Sequence, residues 1–150
     1  MKTMRITILL MAGMILMTLS SCELYSSDNG DFDGYWHLVK VDTLSTGTSC
    51  DMSERRVFWG VQAHLIEAID HDYDPTHYGY LFYFEKDDLF LKRFNAHRHN
   101  RSEGDILVED ATALSPLGVN SLEDRFRIIS LNYREMVLED NLLRLSFKKH

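Results

Sequence analysis

The chain predicts an all-β domain, a single up-and-down antiparallel barrel of about eight strands, over residues 34–150. Two observations carry the antiparallel β-architecture. Apolar side chains recur at every second position in successive short runs, and no window after residue 34 holds an amphipathic helical stripe longer than about three turns. Tight Asp/Asn turns also separate the runs, which is how hairpins follow one another in a meander.

The first run, 35–44, carries Trp36 and Leu38 on one side and ends in the polar stretch 45–49. Residues 56–69 read as one long strand, with Val57, Trp59, Val61, Ala63 and Leu65 facing one way and Gln62, His64 and Glu67 the other. Pro75 breaks 70–77 into a loop. The run 78–85 is aromatic, with Tyr78, Tyr80, Phe82 and Phe84 on one face and Tyr83 on the other; Lys86-Asp87 then turns it into 89–94. Residues 97–104 read as a basic loop, 106–109 as a short strand, and 111–120, with Pro116 and Gly118, as a connection holding one short helical turn. The last third is the clearest. Phe126, Ile128 and Ser130 alternate with Arg127 and Ile129, Asn132-Tyr133 turns into Met136 and Leu138, and Asp140-Asn141 turns into Leu143, Leu145 and Phe147. About eight such strands must hide their edges, which closure into a barrel does completely. A sandwich is the structural alternative.

Ahead of the domain, residues 1–21 divide into a cationic start (Lys2, Arg5), an uncharged apolar stretch of 14 residues (6–19) and a small-residue exit, Ser20-Ser21. This is the anatomy of a secretory signal, and the apolar stretch is shorter than the ~20 residues that span a bilayer. The exit Leu19-Ser20-Ser21-Cys22 resembles the lipobox of bacterial lipoproteins. That resemblance implies lipid on Cys22, cleavage before it, and a mature chain starting there. Residues 22–33 are polar and read as a flexible tether between membrane and domain. An outer-membrane location follows as the expectation, from Glu23 directly after Cys22.

Removing Lys2 and Arg5 leaves 14 cationic against 23 acidic side chains, a net charge of −9. Nucleic acid and anionic headgroups both demand a basic footprint, so neither is an expected partner and the lipid must do the anchoring. With Cys22 lipidated, Cys50 has no partner and the domain is no disulfide scaffold; a Cys22–Cys50 disulfide is the competing arrangement.

Gly34-Tyr35-Trp36 at the first strand resembles the Gly-x-Trp signature of lipocalins and related calycins. The resemblance implies that Trp36 plugs one barrel end beneath a cation from the last strand, for which Arg144 or Lys148 is the candidate. The whole mature chain is also similar to a group of lipocalin-like lipoproteins of Gram-negative gut bacteria, a domain-of-unknown-function family. Residues 57–62, 114–120 and 136–147 carry that likeness, and it implies a calycin-type barrel rather than a substrate.

Chemistry-bearing patterns are sparse. Asp70-x-Asp72-x-Asp74 copies the start of an EF-hand loop but has Pro75 where Gly is needed and Leu81 where Glu is needed, so no metal is expected even with His71 and His77 nearby. His97-x-His99 lacks further zinc ligands and sits among Lys92, Arg93, Arg98 and Arg101, which favours an anion. Asp87-Asp88 and Glu139-Asp140 fall at turns. No nucleophile elbow, phosphate loop or Cys-x-x-Cys occurs, so neither catalysis nor a cofactor is expected.

What stands out is an aromatic excess. Trp59, Tyr78, Tyr80, Phe82 and Phe126 are the candidate ligand-binding residues, because an eight-stranded barrel either fills its interior or holds one small ligand there. Two functions remain open: an extracytoplasmic carrier of a small apolar or amphipathic ligand, and a protein–protein module of an envelope complex with a packed core. The second would show an outer apolar patch, sought around Phe58, Ile66 and Tyr83.

Overall fold

The structure is a computed structural model and describes residues 27–73, 79–100 and 104–150. Ten strands form one antiparallel sheet: β1 (Gly34–Thr43), β2 (Thr48–Asp51), β3 (Val57–Gln62), β4 (Leu65–Asp70), β5 (Tyr80–Lys86), β6 (Phe90–Asn100), β7 (Gly104–Leu107), β8 (Asp124–Leu131), β9 (Glu135–Glu139) and β10 (Leu143–Lys149). Eight of them close a ring in the order β1-β3-β4-β5-β6-β8-β9-β10, with β10 returning to β1. The other two extend long strands: β2 continues the edge of β1 that β3 occupies, and β7 continues the edge of β6 that β8 occupies. The up-and-down barrel read from the sequence is therefore the fold.

Three hairpin turns share one device. Asp87 accepts the backbone N–H groups of Leu89 and Phe90, Asn132 those of Arg134 and Glu135, and Asp140 those of Leu142 and Leu143, all at 2.6–3.0 Å. A short carboxylate or amide thus stands in for the missing backbone partner at each corner.

The 56–69 segment departs from its sequence reading. It is a hairpin, β3 and β4, and Ala63 takes a left-handed φ of 55° at the turn. The turn shifts the inward set by one: Val57, Trp59 and Val61 face in, then Ile66, Ala68 and Asp70, while Leu65 lies outside. The predicted loop 97–104 is also strand in part. β6 runs on to Asn100 and pairs with β7, after Asn95 at φ 54° and a register shift opposite Leu81–Tyr83 reset its facing.

One barrel end is closed by a 3-10 helix, Gly30–Phe32, which drops the fully buried Phe32 against Phe84 at 5.2 Å between ring centres. Asn29 pins this segment by donating to Asp33 Oδ1 and the Ala63 carbonyl, both at 2.7 Å. Packing of the domain hence starts near Asn29 rather than at Gly34. Phe32 supplies the apolar surface, in the one position of 27–33 that has any.

Gly34 and Trp36 sit at this end. Trp36 donates its indole N–H to the Phe32 carbonyl at 2.8 Å. The cation over its ring is Lys149, with Nζ 4.7 Å from the ring centre, rather than Arg144 or Lys148. Register explains the difference: Leu145, Phe147 and Lys149 face in on β10, and Lys149 is the direct partner of Trp36. A Cβ on Gly34 would lie 2.8 Å from Lys149 Cε, and its φ of 128° suits only glycine, so the Gly-x-Trp spacing has a steric cause.

Candidate binding cleft at the mouth of the barrel

The interior is filled. Trp59, Phe82 and Phe126 point inward from β3, β5 and β8, and each is 0% exposed. Trp59 stands 5.0 Å from Phe147 and 6.1 Å from Phe126, ring centre to centre, and donates its indole N–H to the Leu117 carbonyl at 3.1 Å. Leu38, Leu91, Met136, Leu138 and Leu145 close the spaces between the rings. The structure thus places three of the five candidate ligand residues within the core. Tyr78 and Cys22 lie outside the described residues.

Arg93 also points inward. The sequence grouped it with surface cations, but it is 0% exposed, with its guanidinium 4.3 Å from the centre of the Phe82 ring. One terminal nitrogen donates to the Ser121 carbonyl at 2.7 Å and to Asp124 at 3.0 Å, while Nε and Nη1 have no acceptor among the described residues. Burial pushes Arg93 below its ordinary pKa against the pull of Asp124, and burial likewise raises Asp124. The pair ties the loop before β8 to the barrel wall.

The end opposite Phe32 carries a cleft of about 490 Å³. Its apolar side is Leu117, Pro116 and Ala113 of the second 3-10 helix (Ala111–Leu117) together with Tyr80 at the start of β5; Asp70, Tyr73, Asp110 and Thr112 complete it. Tyr80 is half-buried and its hydroxyl has no partner among the described residues. The short helix is built to stay in place. Asp110 caps it by accepting from the Thr112 N–H at 2.9 Å, and Gly118, at φ 78°, ends it with a Cβ position only 2.9 Å from Leu145. Leu114 and Leu117 are buried beneath it, and Trp59 holds the Leu117 carbonyl. The cleft floor is therefore the roof of the core.

The remaining candidates resolve into structural roles. Asp70 binds Arg55 at 2.7 Å; Asp72 binds Arg56 at 2.8 Å and accepts the Arg56 N–H, which with the arginine holds its carboxyl down at about 2. Both carboxylates face arginines, and Asp74 and His77 lie outside the described residues. His97 bonds the Asn95 carbonyl and His99 bonds Asp105, so the two imidazoles have separate partners. Glu139 bridges Arg127 and Arg144. Cys50 is exposed on β2 and makes no disulfide among the described residues.

On the outer wall, Leu65, Tyr83 and Phe94 are direct neighbours across β4, β5 and β6, with Tyr83 stacked on Phe94 at 6.3 Å. Of the three residues sought for an outer patch, Tyr83 is exposed, Phe58 is half-buried between Tyr35 and His37, each 4.7 Å away, and Ile66 is buried inside. The inversion of Ile66 follows from the unforeseen turn at Ala63.

Among the described residues no helix is long and apolar enough to cross a membrane. A profile of the lipocalin-like domain matches residues 16–150. A crystal structure of a lipocalin-like protein from Bacteroides uniformis superposes with a TM-score of 0.62 at 21% identity, covering 81% of this chain and 100% of that one. An uncharacterized protein from Bacteroides eggerthii superposes with a TM-score of 0.59 at 20% identity, covering 79% and 98%. At these identities the likeness is one of fold. No curated protein matches the chain.

Proposed function

The chain belongs to the lipocalin-like family, and from that premise we propose a lipid-anchored envelope protein that holds a small amphipathic molecule at the mouth of its barrel. The observation that carries the reading is the cleft between Tyr80 and the second 3-10 helix, apolar on its floor and polar at Asp70, Asp110 and Thr112. An apolar moiety fits over Leu117 and Pro116, and a hydroxyl or amine on the same molecule has the Tyr80 oxygen and the exposed Asp110 carboxylate to meet. The filled core supports placing the ligand here instead of among Trp59, Phe82 and Phe126. The role is binding without catalysis, in keeping with the family's fold. Lipid on Cys22 and an outer-membrane location complete the proposal, supported by the signal-like residues 1–21 and the lipobox-like exit.

The test is a fluorescent amphipathic amine, dansylcadaverine, titrated against the wild type and Ala113→Trp. Ala113 is exposed and borders the cleft, so a tryptophan there obstructs it without entering the core. At least about a tenfold weaker Kd is expected, about 1.4 kcal/mol, with an unchanged melting temperature. Equal binding by both proteins refutes the cleft. Absence of binding by either favours the protein–protein module, for which the outer strip Leu65–Tyr83–Phe94 is the candidate face.

A further inference from the structure

We infer that the Phe32-closed end of the barrel rests against the bilayer surface and the mouth cleft faces away from it. This inference rests on the reading of Cys22 as the lipid anchor. Chain direction separates the two ends. The hairpin turns at 63–64, 87–89 and 132–134, together with the Gly30–Phe32 helix, lie at one end; the turns at 44–47 and 140–142, β2 and the second 3-10 helix lie at the other.

The described chain enters at the closed end. Asn29 is bound to the Ala63 carbonyl there, Lys149 Nζ donates to the Asp31 carbonyl at 2.8 Å, and Ser27 borders the wall beside Gln62 and Ala63. Ser27 is five residues from Cys22, a reach of no more than about 18 Å even when fully extended. The ring strands, of five to eleven residues, put the mouth on the order of 20 Å beyond the closed end. An anchor this short holds the closed end near the lipid.

Exposed apolar side chains occur at both ends, with Leu142 and Tyr73 at the mouth, so the short chain to Cys22 carries the orientation. What the closed end adds is an aromatic ring paired with a cation. Tyr133 and Leu89 project from two separate turns, 61% and 64% exposed, and the Arg134 guanidinium lies 4.8 Å from the Tyr133 ring centre. An aromatic ring at headgroup depth with a cation beside it for phosphate is favourable there. The consequence is functional: a molecule in the cleft exchanges with the aqueous compartment or a soluble partner, and is not drawn directly out of the bilayer beneath.

The test uses the full lipoprotein in phosphatidylethanolamine–phosphatidylglycerol vesicles that carry a headgroup nitroxide. Cys50, exposed at the mouth end, takes a thiol-reactive fluorophore in the wild type; Tyr133→Cys and Leu89→Cys, each in a Cys50→Ser background, take it at the closed end. Several-fold stronger quenching at 133 and 89 than at 50 is expected. Equal quenching, or stronger quenching at Cys50, overturns the orientation while leaving the anchor intact. A protein that shows no diacylglyceryl mass on Cys22 and does not float with the vesicles removes the anchor and this inference with it.

Discussion

Arg93→Ala is expected to destabilise the domain by about 3–5 kcal/mol. Against a typical total of about 5–15 kcal/mol this is a large fraction, and it corresponds to a melting temperature lower by on the order of 10 °C or more. Removal leaves the Ser121 carbonyl and the largely buried Asp124 without their donor, and strips the guanidinium from the Phe82 face. The charge itself is not what the fold requires. Arg93→Met with Asp124→Asn removes both charges and keeps most of the volume, and is expected within about 1 kcal/mol of wild type, because a buried pair gains little over an apolar replacement. Urea unfolding of the three proteins checks this. A neutral Arg93→Ala would mean that the guanidinium is hydrated in solution rather than packed.

Trp59→Ala is expected to cost a similar amount, about 3–5 kcal/mol, for a different reason. It empties the space between Phe126, Phe147 and the second 3-10 helix, and leaves the Leu117 carbonyl unbonded. The space left is apolar and enclosed, the kind of cavity that takes up an apolar guest. Added indole is therefore expected to raise the melting temperature of Trp59→Ala and not that of the wild type. If wild type and variant respond alike, the native interior already holds an accessible chamber and the filled-core description fails.

The barrel was legible because its corners are written in side chains. Asp87, Asn132 and Asp140 each mark a turn by a chemistry visible in the sequence. The corner at Ala63 uses no such residue. Alanine in the left-handed region leaves alternating apolar residues running through the turn, so two strands read as one and Ile66 was assigned to the wrong face. The same limit hid the far half of β6, since polar residues at the end of a long strand look like a loop when their cross-strand partners are unknown; β7 itself overlaps the short strand expected at 106–109. Lys149 lay one position beyond the candidate cation because inward facing on β10 depends on its register with β1. Arg93 was misread for the opposite reason: composition places arginine outside, and only the fold supplies Phe82, Ser121 and Asp124 around it.

Of the candidate ligand residues, the aromatic pattern identified the right strands but not the depth. Trp59, Phe82 and Phe126 alternate inward as expected and are core, whereas Tyr80, at the strand's start, reaches the cleft. Nothing in the periodicity marks Leu117, Pro116 and Ala113 as its other wall, because a short 3-10 connection carries no repeat. The sequence signals that did exist there were Pro116 and Gly118.

The central claim is a closed interior beneath a binding cleft at the mouth, and a ¹H–¹⁵N NMR titration with the amphipathic amine dansylcadaverine tests it most directly. The expected result is a set of shifts confined to Asp70, Tyr80, Thr112, Ala113 and Leu117, with the Trp59 indole N–H responding through its bond to the Leu117 carbonyl and the Trp36 indole N–H unmoved. Shifts running through both indoles and the strands between them would place the ligand inside the barrel and contradict the account.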